Sequence, residues 1–241
     1  MQWLIKIMLK FLIENIFHRI LKSQFIEMFG DPVTNPKSWQ KVKCNQITIK
    51  IGSGSTPKGG NSSYKDEGIS LIRSMNVHMG RFETKDLAFI DEEQADKLRN
   101  VVIEDDDVLL NITGASVARC CVVPVKILPA RVNQHVSIVR CNKDMIKPIF
   151  LCNQFICESY QSVLWDIATS GGATREAITK QQIENLEIIC PPIELQNQFA
   201  DFVKVIDKLK VVLQNNYKMM SDSTNFMKKY TKKLYVVFIK A

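Results

Sequence analysis

The chain has 241 residues, 46% hydrophobic and 24% charged, a composition for one or two folded domains and against intrinsic disorder. Its formal net charge of +7 suits a phosphate-bearing partner without by itself choosing one. Seven cysteines, an odd number with no C-x-x-C pair, argue against a disulfide framework or a zinc site and fit a reducing cytoplasm.

The opening, "MQWLIKIMLKFLIENIFHRILK", predicts an amphipathic helix over residues 1–29. Lys6, Lys10, Glu14 and His18 recur every four residues and form one polar stripe; the broad apolar remainder calls for a partner. Charges cut every apolar run, so the ~20 mostly apolar residues of a membrane span are missing, as is the unbroken centre of a secretory signal. A partner helix rather than a membrane is expected, a peripheral membrane helix being the alternative. "GDPVTNPKSW" (30–39) then concentrates turn and stop signals in Gly30, Pro32, Asn35 and Pro36.

Residues 30–190 read as one α+β domain, mainly β. Short Val/Ile-rich runs at 69–72, 108–112, 120–125, 136–139 and 186–189 are bounded by Gly, Pro, Asn and Asp, as strands are. Glu92–Leu98 predicts a helix capped by Asp91, and Pro148–Trp165 predicts a longer one entered through proline. Residues 37–190 hold 19 Lys+Arg against 18 Asp+Glu, yet ten of those acids fall within 81–107. The rest of the domain is therefore basic and suited to showing one face to phosphates.

Within this domain, "IGSGSTPKGG" (51–60) has the look of a nucleotide phosphate loop. Such a loop needs Lys after its last Gly and a hydroxyl after Lys. Here Pro57 precedes Lys58 and Gly59 follows it, and proline removes a backbone donor from the cradle. The stretch has some other task.

Pro191 and Pro192 close the domain, and residues 191–241 predict a long coiled-coil helix for dimerisation and partner docking. Leu195, Phe199, Phe202, Ile206, Leu209, Leu213, Asn216, Met220, Ser223 and Met227 follow one another in steps of four and three, the seam of a coiled coil. Asn216 and Ser223 interrupt the apolar row, as polar residues that fix register do.

No catalytic constellation stands out. Glu83-Thr84-Lys85 matches the E-x-K of metal-dependent nucleases, a pattern common by chance. "CPPI" (190–193) is superficially like an amino-methyltransferase site, but Cys190 is a poor acceptor for an amino group. His18, His78 and His135 lie in unrelated contexts. The chain is expected to be no enzyme and to need no metal. The alternatives are a stand-alone nuclease centred on Glu83 and Lys85, and a coiled-coil scaffold.

Read in order, "EMFGDPVTNPKSW", "IGSGSTPKGGNSSY", "GISLIRSMNV", "IEDDDVLLNITGASVARCCVV", "ARVNQHVSIVR", "GGATREAITKQQIENLEII" and "PPIELQNQFADFVKVID" resemble the specificity subunit of type I restriction-modification systems over nearly the whole chain. Gly52–Pro57 is similar to that family's G-x-T-P turn, where glycines permit tight turning. The resemblance implies a target-recognition domain that reads one half of a bipartite double-stranded DNA target. It also implies a methyltransferase (modification) subunit as partner, with a restriction subunit in full complexes. S-adenosylmethionine, ATP and magnesium would then sit on those partners, leaving this chain without a cofactor. Family members typically carry two recognition domains and two long helices; this chain has one domain with a helical segment on either side. A cytoplasmic homodimer reading a symmetric, interrupted target is the simplest expectation, and a swap cassette or truncated product the other.

By residue type, Arg73, Asn76, Asn111, Arg119, Asn133, Gln134 and Arg175 suit base edges. Thr56, Lys58, Thr113, Ser116, Thr174 and Lys180 suit phosphate. Asn133-Gln134 is as well suited to bracing the fold as to touching DNA.

Overall fold

A computed structural model of the chain describes residues 2–170 and 176–222. It divides into two compact units, a domain of Met28–Ala200 and a helical unit drawn from Met1–Glu27 and the chain from Asp201 onward.

Helix α1 (Gln2–Phe29) ends where the sequence predicts. Gly30 takes φ +75°, the left-handed cap that stops a helix. Asp31 Oδ1 then accepts from the amides of Val33 (2.9 Å) and Thr34 (3.0 Å). Asn35 brackets Trp39, donating to its carbonyl at 2.7 Å and accepting from its amide at 2.9 Å. The Trp39 indole N–H donates to Phe29 O at 2.9 Å, satisfying one of the helix's last carbonyls.

Four antiparallel strands form the main sheet: β1 (Lys41–Lys43) lies outside it, and β2 (Thr48–Ser53) begins it. A second sheet uses β3 (Ile69–Ile72), followed in sequence by a short hairpin of β4 (Val77–His78) and β5 (Arg81–Phe82), and by β6 (Ala88–Ile90). Next come α2 (Glu92–Asp96), β7 (Val108–Asn111), β8 (Cys120–Val122), β9 (Ala130–Val132) and β10 (Val136–Cys141). Helices α3 (Pro148–Ile156), α4 (Glu158–Thr169) and α5 (Lys180–Glu184), strand β11 (Glu187–Ile189) and helix α6 (Ile193–Asp222) complete the chain. The main sheet runs β2-β10-β7-β8 and the second β6-β3-β9, with β3 and β9 parallel. β1 pairs antiparallel with β11.

Every residue of β3 and β7 is buried, Ser70 and Asn111 included, so neither strand shows the in–out alternation of a sheet with one face in water. Leu71, Ile72, Ile90, Leu109, Val132 and Ile138 share one core cluster. Asp91 caps α2 with its side chain, accepting from Gln94 N at 2.9 Å, while Gln94 Oε1 accepts from Asp91 N at 3.1 Å.

The single helix expected over 148–165 is two. Cys157 is extended (φ −62°, ψ 137°) and separates α3 from α4. Gln161 Nε2 donates to Phe155 O at 2.6 Å and to Ala118 O at 2.9 Å, so the break leaves the Phe155 carbonyl bonded. Apolar pattern alone does not reveal such a break, because both helices bury the same kind of face.

The C-terminal seam also differs. Among the described side chains of α6, Gln196, Phe199, Val203 and Ile206 are buried. Leu195 and Phe202 are half-buried, while Leu209, Leu213 and Asn216 are exposed. Phe199 is fully buried inside the domain, its ring 5.6 Å from that of Phe29. It is thus a core residue of the domain and not free to form a dimer seam. The expected domain limit at 190 likewise differs from the contact division, which keeps residues up to Ala200 with the domain. The side chain of Met220, like Met227 itself, lies outside the described residues. In the helical unit, Phe17, Phe25, Val203 and Ile206 are buried, whereas Met8, Leu12, Ile16 and Ile20 form an exposed row four residues apart. No described helix is long and apolar enough to cross a membrane.

Candidate functional site

Strand direction gathers loops from far-apart sequence at one end of the domain. Ser53 pairs with Ser137, Asn111 with Val136, and Ile72 with Val132. The ends of β2, β3, β7 and β9 therefore meet the start of β10. Loops 53–60, 73–76, 112–119 and 133–135 leave from this one end.

Backbone bonds lock the loops together. Gly54 N donates to Asn133 O at 3.1 Å, Asn133 N to Ile72 O at 3.0 Å, and Ile112 N to His135 O at 3.0 Å. Gly54 explains part of the glycine-rich stretch: a Cβ there would stand 1.8 Å from Val132 O. The residue has to be glycine because one backbone crosses another, not because a phosphate is cradled.

Side chains add a second layer. Thr56 Oγ1 donates to Gln134 Oε1. Gln134 Nε2 lies 3.1 Å from His135 Nε2, and His135 Nδ1 lies 2.6 Å from Thr113 Oγ1. Asn111 Nδ2 donates to Ser74 O at 2.9 Å and to Ser116 Oγ at 3.2 Å.

Three predicted base readers cannot serve as such in this structure, because they are buried. Asn76 caps its own turn, accepting from Arg73 N at 3.0 Å and donating to Glu83 O at 3.0 Å. Asn111 ties β7 to the 74–77 loop, and Asn133 Oδ1 accepts from His135 N at 3.0 Å. A side chain without accessible surface braces the loops instead of meeting a base edge. Arg73 is half-buried, donates to Asp86 O, and sits 5.3 Å above the Tyr64 ring. Its guanidinium is thereby drawn into the fold.

Lys58 and Gln134 are exposed; Thr56, Thr113, Ser116 and Arg119 are half-buried. Lys180 is exposed at the start of α5, 3.6 Å from Glu184, and follows a segment whose Ile178 N donates to Ile112 O at 2.8 Å. Thr174 and Arg175 lie outside the described residues. Glu83 accepts from Arg81 Nη1 at 3.3 Å and from the Lys85 amide at 3.2 Å, so its carboxylate is engaged by its own hairpin and turn. Among the described residues, no three His, Cys, Asp or Glu side chains stand where they could share a metal ion. His135 and Gly54 were missed as site residues by sequence reasoning. For His135 the available signal was its place directly after Asn133-Gln134; for Gly54 it was the glycine pair bracketing Ser53.

The family model for the type I restriction modification DNA specificity domain matches residues 36–218. A putative type I restriction enzyme specificity subunit, MjaX of Methanocaldococcus jannaschii, is 25% identical over 175 residues, 72% of this chain and 38% of that protein. A chain from a structural study of complex assembly and conformational transition in a type I R-M system superposes with TM-score 0.59 at 18% identity, covering 89% of this chain and 50% of the other. The HsdS subunit from Thermoanaerobacter tengcongensis gives TM-score 0.53 at 16% identity, with 86% and 47% covered. This chain thus spans about half the length of those structures and less than half that of the curated relative. With the family model covering most of the domain and running into α6, the chain belongs to the type I restriction-modification DNA specificity family.

Proposed function

We propose that this chain is the sequence-reading component of a type I restriction-modification assembly and leaves the chemistry to other subunits. The loop end of the domain meets one half of a bipartite DNA duplex. Lys58, Arg119 and Lys180, with the hydroxyls of Thr56, Thr113 and Ser116, position the backbone, and Gln134 offers an exposed amide for a base edge. The observation that carries this reading is the cross-bonded set of four loops at one end of a domain matched by the family model. Rigid loops of this kind suit groove reading, because their geometry is set before DNA arrives.

The helices pair two copies and dock a methyltransferase subunit, with a restriction subunit in the complete complex. Their exposed apolar rows, Met8, Leu12, Ile16 and Ile20 on α1 and Val205, Leu209 and Leu213 on α6, support this role, since such rows mark association surfaces. S-adenosylmethionine, ATP and magnesium belong to the partner subunits, and the assembly works on cytoplasmic DNA.

The test is to co-express the chain with its methyltransferase subunit and sequence methylated positions in the host DNA, with and without the chain. Methylation at one interrupted motif that disappears without the chain is the expected result. Methylation independent of the chain, or sequence-specific cleavage by the chain alone, overturns the proposal.

A further inference from the structure

The polar chain at the loop end has a direction. Gln134 Oε1 faces Thr56 Oγ1, and Gln134 Nε2 faces His135 Nε2 at 3.1 Å. A carboxamide nitrogen only donates, so His135 Nε2 must be the acceptor and carry no proton. The neutral ring then bears its proton on Nδ1, which donates to Thr113 Oγ1 across 2.6 Å. The bonds run from the Thr56 hydroxyl into Gln134, from Gln134 into His135, and from His135 into Thr113. His135 is held in turn: its amide donates to Asn133 Oδ1 at 3.0 Å and its carbonyl accepts from Ile112 N at 3.0 Å.

Gln134 is exposed and its amide is only half used. Oε1 keeps one lone pair and Nε2 keeps one N–H. An acceptor and a donor on one planar group are what adenine's N6 amino group and N7 require in the major groove.

The geometry points to Gln134 as the adenine-reading side chain of this domain and to His135 as the positioning residue whose ring tautomer is tied to which end of the amide is oxygen. This rests on the DNA-reading role argued above. A freely rotating amide presents donor and acceptor in either order. The Thr56–Gln134–His135–Thr113 chain couples that order to the ring: the reversed amide would need His135 protonated on Nε2, with the Thr113 hydroxyl donating to Nδ1 and the Thr56 hydroxyl accepting.

The experiment selects binding sites from a randomised duplex library with the chain in complex with its methyltransferase subunit. For the unaltered chain, one selected adenine should lose about 2- to 10-fold in binding when replaced by 7-deaza-adenine, which removes the N7 half of the bidentate pair and keeps N6. Gln134→Glu keeps the shape but has no N–H; it should shift that one position from adenine to cytosine, whose amino group a carboxylate accepts. His135→Phe should flatten the preference at that position while the other positions and the salt dependence stay unchanged. Nitrogen-15 spectra of the complex without DNA should show His135 protonated on Nδ1, and Gln134→Ala should abolish that fixed tautomer. An unchanged selected motif for Gln134→Glu, or a His135 ring protonated on Nε2, overturns the inference even where DNA reading stands. Failure of the unaltered complex to select any motif overturns the DNA-reading role itself, and this inference with it.

Discussion

Phe29, the last residue of α1, and Phe199, in the second turn of α6, meet edge to face with ring centroids 5.6 Å apart. Phe150 of α3 completes the contact at 4.8 Å from Phe29. All three rings are without accessible surface. They fasten the domain's entry and exit segments to its own core, at about 1.5–3 kcal/mol of apolar burial per ring. Phe199→Ala should therefore destabilise the domain by about 3–5 kcal/mol, read from urea unfolding of the full chain. Were Phe199 an interface residue instead, the change would alter self-association and leave the unfolding midpoint at high dilution in place.

Leu209 should behave in the opposite way. It is 48% exposed, and surface changes of this kind shift stability by only about 0.5 kcal/mol. In a pair of copies its burial contributes about 1.5–3 kcal/mol, so Leu209→Lys should weaken self-association about tenfold or more. Sedimentation velocity across a micromolar dilution series measures this. Equal sedimentation of the altered and unaltered chains at every concentration would show that α6 does not pair the copies through Leu209.

Gly54 and Gly52 make a matched comparison two residues apart. A Cβ on Gly54 would collide with the Val132 carbonyl, whereas one on Gly52 meets nothing within 4 Å. Gly54→Ala should cost about 1–3 kcal/mol as the loop moves aside and should weaken DNA binding because Thr56 moves with it. Gly52→Ala should be close to neutral. Thermal unfolding of the two variants separates them; similar midpoints would mean the loop gives way freely.

Asp107 and Arg140 form the domain's buried ion pair, with Asp107 Oδ1 2.8 Å from Arg140 Nε and Oδ2 2.8 Å from Nη2. The Asp107 side chain is 0% exposed and that of Arg140 12%, so water cannot replace either partner. Asp107 Oδ2 also accepts from Glu104 N at 2.7 Å, closing the turn before β7. Asp107→Ala should cost about 1–3 kcal/mol, since it leaves Arg140 Nε and the Glu104 amide without an acceptor while the guanidinium keeps Glu104 and Val102 O. Lys143→Ala, which removes the exposed pair with Asp106, should cost no more than about 1 kcal/mol.

Alkaline pH should destabilise the domain through its buried thiols. Burial pushes Cys44 up from 9.0 to about 12, and it raises Cys120, Cys121 and Cys141 as well. Above pH 9 the unfolded chain has released a proton that folded Cys44 still holds. The unfolded state then binds fewer protons, so stability falls as pH rises from 9 to about 12. Unfolding free energies measured at pH 8, 9, 10 and 11 should decline steadily, less steeply for Cys44→Ala. Cys190, the one cysteine not buried, should be alkylated first in the native protein at pH 8.

What the sequence determined was local and periodic. The end of α1 follows from Gly30 and the Asp31 and Asn35 side chains, and the cap of α2 from Asp91. The Val/Ile-rich runs read at 69–72, 108–112 and 136–139 between turn residues lie on the strands observed at 69–72, 108–111 and 136–141. Those signals act over a few residues, so chain order carries them in full. Which side chains share a surface was settled by strand pairing. Asn76, Asn111 and Gln134 are alike in chemistry and in their loop-like surroundings, yet the register of β3, β7 and β10 buries the first two and exposes the third. The same holds for α6. Its four-three spacing announces an apolar stripe, but only the packed domain decides that Phe199 lies inside it and Leu209 does not. Burial depends on what the rest of the chain brings near, and that proximity is a property of the whole fold.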